Sequence, residues 1–137
     1  AGHCPCNSCP DCTAKLSDPA CTTVKLVQDI SNAWYTCIDN PSPMNNKVFD
    51  CQGHSITANA LRGIGLGSGQ SGNTITNCNV TNLTTYFQCI FLGPDCNNNT
   101  IVGNTLTTLG TGSEAVYISA ASSNRLTTIP RSGWRNA

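Results

Sequence analysis

Four cysteines fall within a short run near the start of the chain, His3-Cys-Pro-Cys-Asn-Ser-Cys-Pro-Asp-Cys12. Cys6, Cys9 and Cys12 have the spacing of thiolate ligands to zinc or an iron–sulfur cluster, and Cys4 or His3 could complete a set of four. Such a site needs reduced thiols. The chain carries 10 cysteines in 137 residues, an even number far above cytosolic usage, which places it in an oxidising compartment where thiols pair. Disulfides are therefore expected, with no metal and no other cofactor, and residues 1–20 read as a Cys-rich N-terminal cap or arm.

Other side chains suggest surface chemistry. Asn79-Val-Thr, Asn82-Leu-Thr and Asn98-Asn-Thr are acceptors for N-linked glycans, whereas the proline in Asn40-Pro-Ser excludes that site. Trp34, Tyr86, Phe91, Tyr117 and Trp134 could offer faces for stacking on sugar rings. His3 and His54 have no acid or serine at a suggestive spacing and read as turn residues. Gly67-Ser-Gly-Gln-Ser-Gly72 is followed by no Gly-Lys-Ser or Gly-Lys-Thr, so it reads as an exposed corner and not a phosphate loop.

Charge narrows the partners. Seven Lys plus Arg balance seven Asp plus Glu, only 10% of residues are charged, and no run of one sign occurs, which argues against nucleic acid or an anionic membrane. The apolar stretches are short, as in Cys89-Ile-Phe-Leu-Gly93, so no membrane-spanning helix is expected. The opening Ala-Gly-His-Cys reads as a mature N-terminus left by signal-peptide cleavage, and the expected location is extracellular or at the cell surface.

These groups must be positioned by a repeat. Asn46-Lys-Val-Phe, Asn73-Thr-Ile-Thr, Asn99-Thr-Ile-Val and Asn124-Arg-Leu-Thr recur at spacings of 27, 26 and 25. Ile38, Ile64, Ile90 and Val116 form a second series, echoed two positions later by Leu66, Leu92 and Ile118. Ile30, Ile56, Leu83 and Leu109 form a third, and Val48, Ile75, Ile101 and Leu126 follow the asparagines. Between turns the segments are short, alternating and rich in Thr and β-branched residues, which predicts strands rather than helices. The expected fold is all-β, a short parallel β-helix of about four coils over residues 21–129, with about 26 residues per coil and a tail over 130–137. Asn46, Asn73, Asn99 and Asn124 are expected to stack as an amide ladder.

The strings VFDCQGHSI, NTITNCNV and NNTIVGNTLTTL, followed by the EAVYIS strand, resemble the right-handed parallel β-helix repeats of pectate-lyase-like and NosD-like surface proteins over roughly 21–129. The resemblance implies the fold and its handedness, but such repeats serve lyases, hydrolases, adhesins and structural chains alike. For a lyase the resemblance implies acidic calcium ligands clustered beside a Lys or Arg base on one face. Here the expected register has Asp50 succeeded by Asn77, Gly103 and Thr128, and Asp39 by Gly65, Phe91 and Tyr117. Asp95 and Glu114 fall in different parts of the coil, so no glycosidase pair is formed. Lys47 and Arg125 read as equivalent, solvated strand-edge charges three coils apart. No catalytic residue is predicted, and Thr74, Thr100 and Arg125 break the threonine rank that an ice-binding face would need.

Cys51 and Cys78 each follow a ladder asparagine by five positions, which predicts a disulfide between adjacent coils with Cα atoms about 5 Å apart. Cys89 and Cys96 flank a predicted turn and are expected to close a local loop. Cys4, Cys6, Cys9, Cys12, Cys21 and Cys37 then pair among themselves, with the connectivity open. A terminal coil exposes unpaired backbone groups, and the tail is too short for a substantial cap, so copies of the chain are expected to stack head to tail. The expected function is that of a secreted, disulfide-stabilised, N-glycosylated structural protein, a subunit of an extracellular filament or surface layer. Its expected partners are copies of itself, covalently attached glycans and extracellular polysaccharide. The alternative is a carbohydrate-binding module or, behind it, a polysaccharide lyase-like or hydrolase-like β-helix.

Overall fold

The computed structural model describes residues 2–32, 34–127 and 133–137. A strand β1 (His3–Cys6) and a helix α1 (Cys9–Leu16) precede four coils of three strands each. The first coil is β2 (Thr23–Leu26), β3 (Ile30–Asn32) and β4 (Ile38–Asp39); the second is β5 (Val48–Asp50), β6 (Ser55–Ala58) and β7 (Ile64–Leu66). The third is β8 (Thr74–Thr76), β9 (Asn79–Asn82) and β10 (Ile90–Leu92); the fourth is β11 (Thr100–Val102), β12 (Thr105–Thr108) and β13 (Val116–Ile118). Two strands follow, β14 (Arg125–Leu126) and β15 (Trp134–Asn136).

Like strands of successive coils pair in parallel, giving the three faces of a solenoid. Sheet 1 runs β1-β2-β5-β8-β11-β14, sheet 2 runs β3-β6-β9-β12, and sheet 3 runs β4-β7-β10-β13-β15. Alternation along each strand turns one set of side chains inward. In sheet 1 the inward column is Val24, Phe49, Ile75 and Ile101, all fully buried. In sheet 3, Ile38, Ile64, Ile90 and Val116 stack in the register the sequence predicts, as do Leu66, Leu92 and Ile118. Each fully buried side chain of this size contributes about 1.5–3 kcal/mol, so the repeat supplies the core one layer per coil.

Two predicted columns are shifted. Phe49, not Val48, faces inward above Ile75, because the true register pairs Val48 with Thr74. In sheet 2 the inward column is Ile30, Ile56, Val80 and Leu106, while Leu83 and Leu109 are exposed. The corner between sheets 1 and 2 shortens from residues 51–54 in the second coil to residues 77–78 in the third; that loss of two turn residues, together with a coil step from Phe49 to Ile75 one residue shorter than the predicted step from Ile56 to Leu83, puts Val80 at the inward position.

The two ends of the solenoid differ. At the N-terminal end α1 packs against β1, β2, β3 and β4, with Cys12 and Leu16 fully buried. Ser8 caps the helix by accepting the Asp11 N–H, Pro10 lies in the first turn, and Asp11 pairs with Lys15 at 3.0 Å. At the other end Leu106, Leu126 and Trp134 pack on the core but are only half-buried.

Candidate functional site

The asparagine ladder is real but one residue out of the predicted phase at its first rung. Asn73 Oδ1 accepts the Lys47 N–H at 3.0 Å, Asn99 Oδ1 accepts the Asn73 N–H at 2.9 Å, and Asn124 Oδ1 accepts the Asn99 N–H at 2.8 Å. The Nδ2 groups of Asn73 and Asn99 donate to the Met44 and Gln70 carbonyls. Lys47 thus occupies the first rung and Asn46 lies exposed beside it, with the left-handed φ of 56° expected of a turn asparagine. Lys47 is also not the solvated charge expected from sequence. Its residue is 7% exposed, its Nζ donates to the Asp18 carbonyl at 2.5 Å, and burial lowers its pKa.

Neighbouring corners use the same device. Asn45, Ser71, Asn97 and Ser122 hydrogen-bond from coil to coil, and so do Asp29 with Ser55, Asn32 with Asn59, Asn40 with Gly67 and Asn104 with Cys78. Short polar side chains therefore satisfy backbone N–H groups where the coil bends and sheet pairing lapses.

Four disulfides form. Cys4–Cys21, Cys6–Cys12 and Cys9–Cys37 lie at the N-terminal end, and Cys51–Cys78 joins adjacent coils with Cα atoms 4.7 Å apart. The predicted Cys89–Cys96 bridge does not form: both thiols are free and buried. The segment between them contains the extended strand β10 before the turn that the Cys96 N–H closes on the Gly93 carbonyl, and the strand holds the two thiols apart. The Cys89 Sγ donates to the Val80 and Thr107 carbonyls, the Cys96 Sγ to Leu66. Burial pushes the Cys89 thiol up to about 12 and raises that of Cys96. With the N-terminal cysteines paired, no cluster of three or more metal-ligating side chains occurs among the described residues.

Of the three sequons, Asn79 and Asn98 are exposed. Asn82 is 0% exposed: its Nδ2 donates to the Leu61 and Gln88 carbonyls and its Oδ1 accepts from Thr84 N and Oγ1. A glycan on Asn82 Nδ2 is incompatible with this fold. Asn79 and Asn82 stand three positions apart on β9, so alternation puts them on opposite faces.

The expected acid–base groups stay scattered. Asp39 is followed by Gly65, Phe91 and Tyr117, as predicted, but Asp50 is followed by Thr76 and Val102. Arg125 aligns with Thr100 and Thr74, not with Lys47. Asp50 accepts from Gln52 N and Asn77 Nδ2. Glu114 accepts from Gln88 and, at 2.6 Å, from Arg135. The sequence reading missed one acid–base pair, His54 Nδ1 with Asp29 Oδ1 at 3.2 Å. It links successive coils and is invisible without the register. Asp29 is held ionised by the Ser55 N–H and then by His54. No hydrogen bond connects His54 to a hydroxyl or thiol among the described residues.

The aromatic residues divide into two groups. On the outer face of sheet 3, Phe91 and Tyr117 meet tilted at 55° with centroids 5.6 Å apart, the Arg62 guanidinium lies 4.2 Å from the Phe91 centroid and that of Arg135 lies 3.9 Å from the Tyr117 centroid. Arginines thus cover the ring faces, leaving less room for a sugar. Trp134 packs on the core, and Tyr86 projects from a corner over Gly112. Trp34 and Tyr35 are 77% and 72% exposed. They border a groove of about 610 Å³ whose other wall is α1, through Pro10, Thr13 and Ala14. The Cys9–Cys37 disulfide fixes those walls together. Asn32 Nδ2 donates to the Trp34 and Tyr35 carbonyls and shapes the loop. Tyr35 and the helix wall were missed from sequence; Ser8-Cys-Pro-Asp11, a cap residue ahead of a first-turn proline and acid, was the available helix signal.

Compared with protein-family models, curated proteins and solved structures, the chain matches none. The likeness that stands is one of architecture, a parallel β-solenoid of about four turns.

Proposed function

We propose that the chain is a secreted structural subunit that assembles head to tail into an extracellular filament or surface layer, with N-linked glycans on Asn79 and Asn98. The observation that carries this reading is the contrast between the ends: one is closed by a disulfide-held helix, while the other presents the half-buried Leu106, Leu126 and Trp134. Solenoid layers stabilise one another only through their neighbours, so a half-covered layer gains most from stacking on another surface. A contact between unlike ends repeats without closing when the operation is a translation along the solenoid axis.

The cysteines support the location. Four disulfides fit an oxidising exterior, and no described helix is long and apolar enough to cross a membrane. The scattered carboxylates support a role without catalysis, and the arginine-covered rings on sheet 3 favour a structural face over a sugar platform.

Electron microscopy of the purified protein over a range of concentrations tests the proposal. Six strands in sheet 1 at ~4.8 Å each give an expected axial repeat of about 29 Å. Filaments with that repeat are the expected result. Dispersed single particles at every concentration would overturn the assembly reading.

A further inference from the structure

We infer that the groove between α1 and the Trp34 loop binds a small organic cation, of the class that carries a trimethylammonium group. The site goes beyond the assembly reading and does not depend on it.

One wall is a single face of α1, since Pro10, Thr13, Ala14 and Ser17 recur at helical spacing. The other is the loop that carries Trp34 and Tyr35, with Asp39 of β4 completing it. Among the lining residues Asp39 alone bears a formal charge, and no described group hydrogen-bonds or ion-pairs with its carboxylate. Arg62 feels that charge, but its guanidinium stays over Phe91 and its Nε donates to Gln88. Lys15 is held away from the groove by Asp11 and the Pro5 carbonyl. The C-terminal end of α1, at the lining residue Ser17, adds partial negative charge. The cleft is therefore apolar and negative.

The aromatic rings complete the complementarity. On sheet 3 arginines already occupy the faces of Phe91 and Tyr117, whereas no cation or second ring covers Trp34 or Tyr35 among the described residues. A cation over such a face is attracted by the ring quadrupole, most strongly by that of Trp. A hydroxyl-rich ligand finds less, because several polar groups of the lining are already engaged. Thr13 Oγ1 donates to the Cys9 carbonyl, Ser17 Oγ donates to the Thr13 carbonyl, and Asn32 donates to the Trp34 and Tyr35 carbonyls while accepting the Asn59 N–H. A trimethylammonium group has no N–H to satisfy and needs only apolar contact and negative charge, the two features left open here. The cleft is also preformed, because Cys9–Cys37 ties its walls together, and its 610 Å³ lies within the usual span of ligand sites. Tyr35 holds a left-handed φ of 25° at this place, backbone strain of the kind that gathers at ligand clamps.

Two probes separate charge from shape: choline, and its neutral carbon analogue in which a tert-butyl group replaces trimethylammonium. Each is titrated into the dispersed protein at constant ionic strength, with calorimetry and tryptophan fluorescence as readouts. Choline should saturate the site, and the analogue should bind about tenfold more weakly or worse. Asp39→Asn and Trp34→Ala should each weaken choline binding by about the same factor, whereas Asp50→Asn, on sheet 1, should leave it unchanged. Circular dichroism and disulfide mapping establish that each variant is folded.

Vesicles distinguish the sources of the group. Cosedimentation with phosphatidylcholine vesicles, reversed by free choline, would make the ligand a lipid headgroup; choline binding without cosedimentation would make it a free solute. Either result upholds the site. Equal binding of choline and its analogue overturns it, as does an Asp39→Asn variant that binds choline like the wild type. So does the absence of any choline response up to about 10 mM. Saturable binding of neutral oligosaccharides that Trp34→Ala abolishes, without choline binding, would give the groove to a sugar and overturn the inference as well.

Discussion

Asn99 shows how much one side chain does in a solenoid corner: it satisfies both a backbone N–H, that of Asn73, and a carbonyl, that of Gln70, in the preceding coil, where sheet pairing supplies neither. Asn99→Ala leaves both groups buried and unpaired, at a cost of about 2–4 kcal/mol, measurable by denaturant unfolding. Asn46→Gly keeps the left-handed turn, removes no ladder bond and should stay within about 0.5 kcal/mol of the wild type. The ladder was legible in sequence because asparagine recurs; its first rung was not, because Asn46 and Lys47 compete for one position and only strand pairing decides between them. The same limit concealed the free cysteines, since an even count says nothing about which sulfurs face each other. Cys89 has a consequence for pH. Its folded-state value of about 12 lies above the 9.0 of an unperturbed thiol, so the unfolded chain releases its proton first and stability falls as pH rises through that window. The expected slope is up to about 1.4 kcal/mol per pH unit, relative to a Cys89→Ala variant titrated in parallel. Equal slopes for the two proteins would refute it. Native protein at pH 8 should also resist thiol reagents, and unfolding without reductant should expose two reactive thiols per chain.

At the scale of elements, α1 and its disulfides determine how the first coil is closed. The bridge Cys9–Cys37 spans 28 residues and Cys6–Cys12 spans 6. Loop-closure entropy gives about 3.6 kcal/mol for the longer and about 2.2 kcal/mol for the shorter. Replacing Cys9 and Cys37 together by alanine should therefore lower the denaturant midpoint more than replacing Cys6 and Cys12. The reverse order would mean that native-state strain, and not the chain entropy of the unfolded state, governs these bridges. Strands were readable because their inward residues recur with the coil. The helix was not, because it occurs once, is short, and sits among cysteines whose spacing points first to metal or disulfides. Leu83 and Leu109 were misassigned to the core for a related reason. Periodicity detects apolar residues at the right spacing but not the shortened corner that brings Val80 to the inward position and leaves Leu83 outside.

On the scale of the whole molecule, a solenoid is a one-dimensional stack in which each layer is protected by those above and below. The N-terminal layers carry α1 and three disulfides, the second and third coils share Cys51–Cys78, and β14 and β15 meet described strands on one side only. Local opening should therefore begin at the C-terminal end and cost more with each coil toward the middle. In hydrogen exchange on the dispersed protein, amides of β14 and β15 should exchange first and those of β7 to β10 last. Assembly changes one end of that gradient more than the other. If a second copy seats on the open layer, protection should rise at Leu106, Leu109 and Leu126, while β7 to β10, already covered on both sides, should change little. Uniform protection along the dispersed chain would mean that it unfolds as one cooperative block, and the contrast between its ends would then lose its energetic meaning. A gradient that assembly leaves unchanged would place the contact between copies on a lateral face.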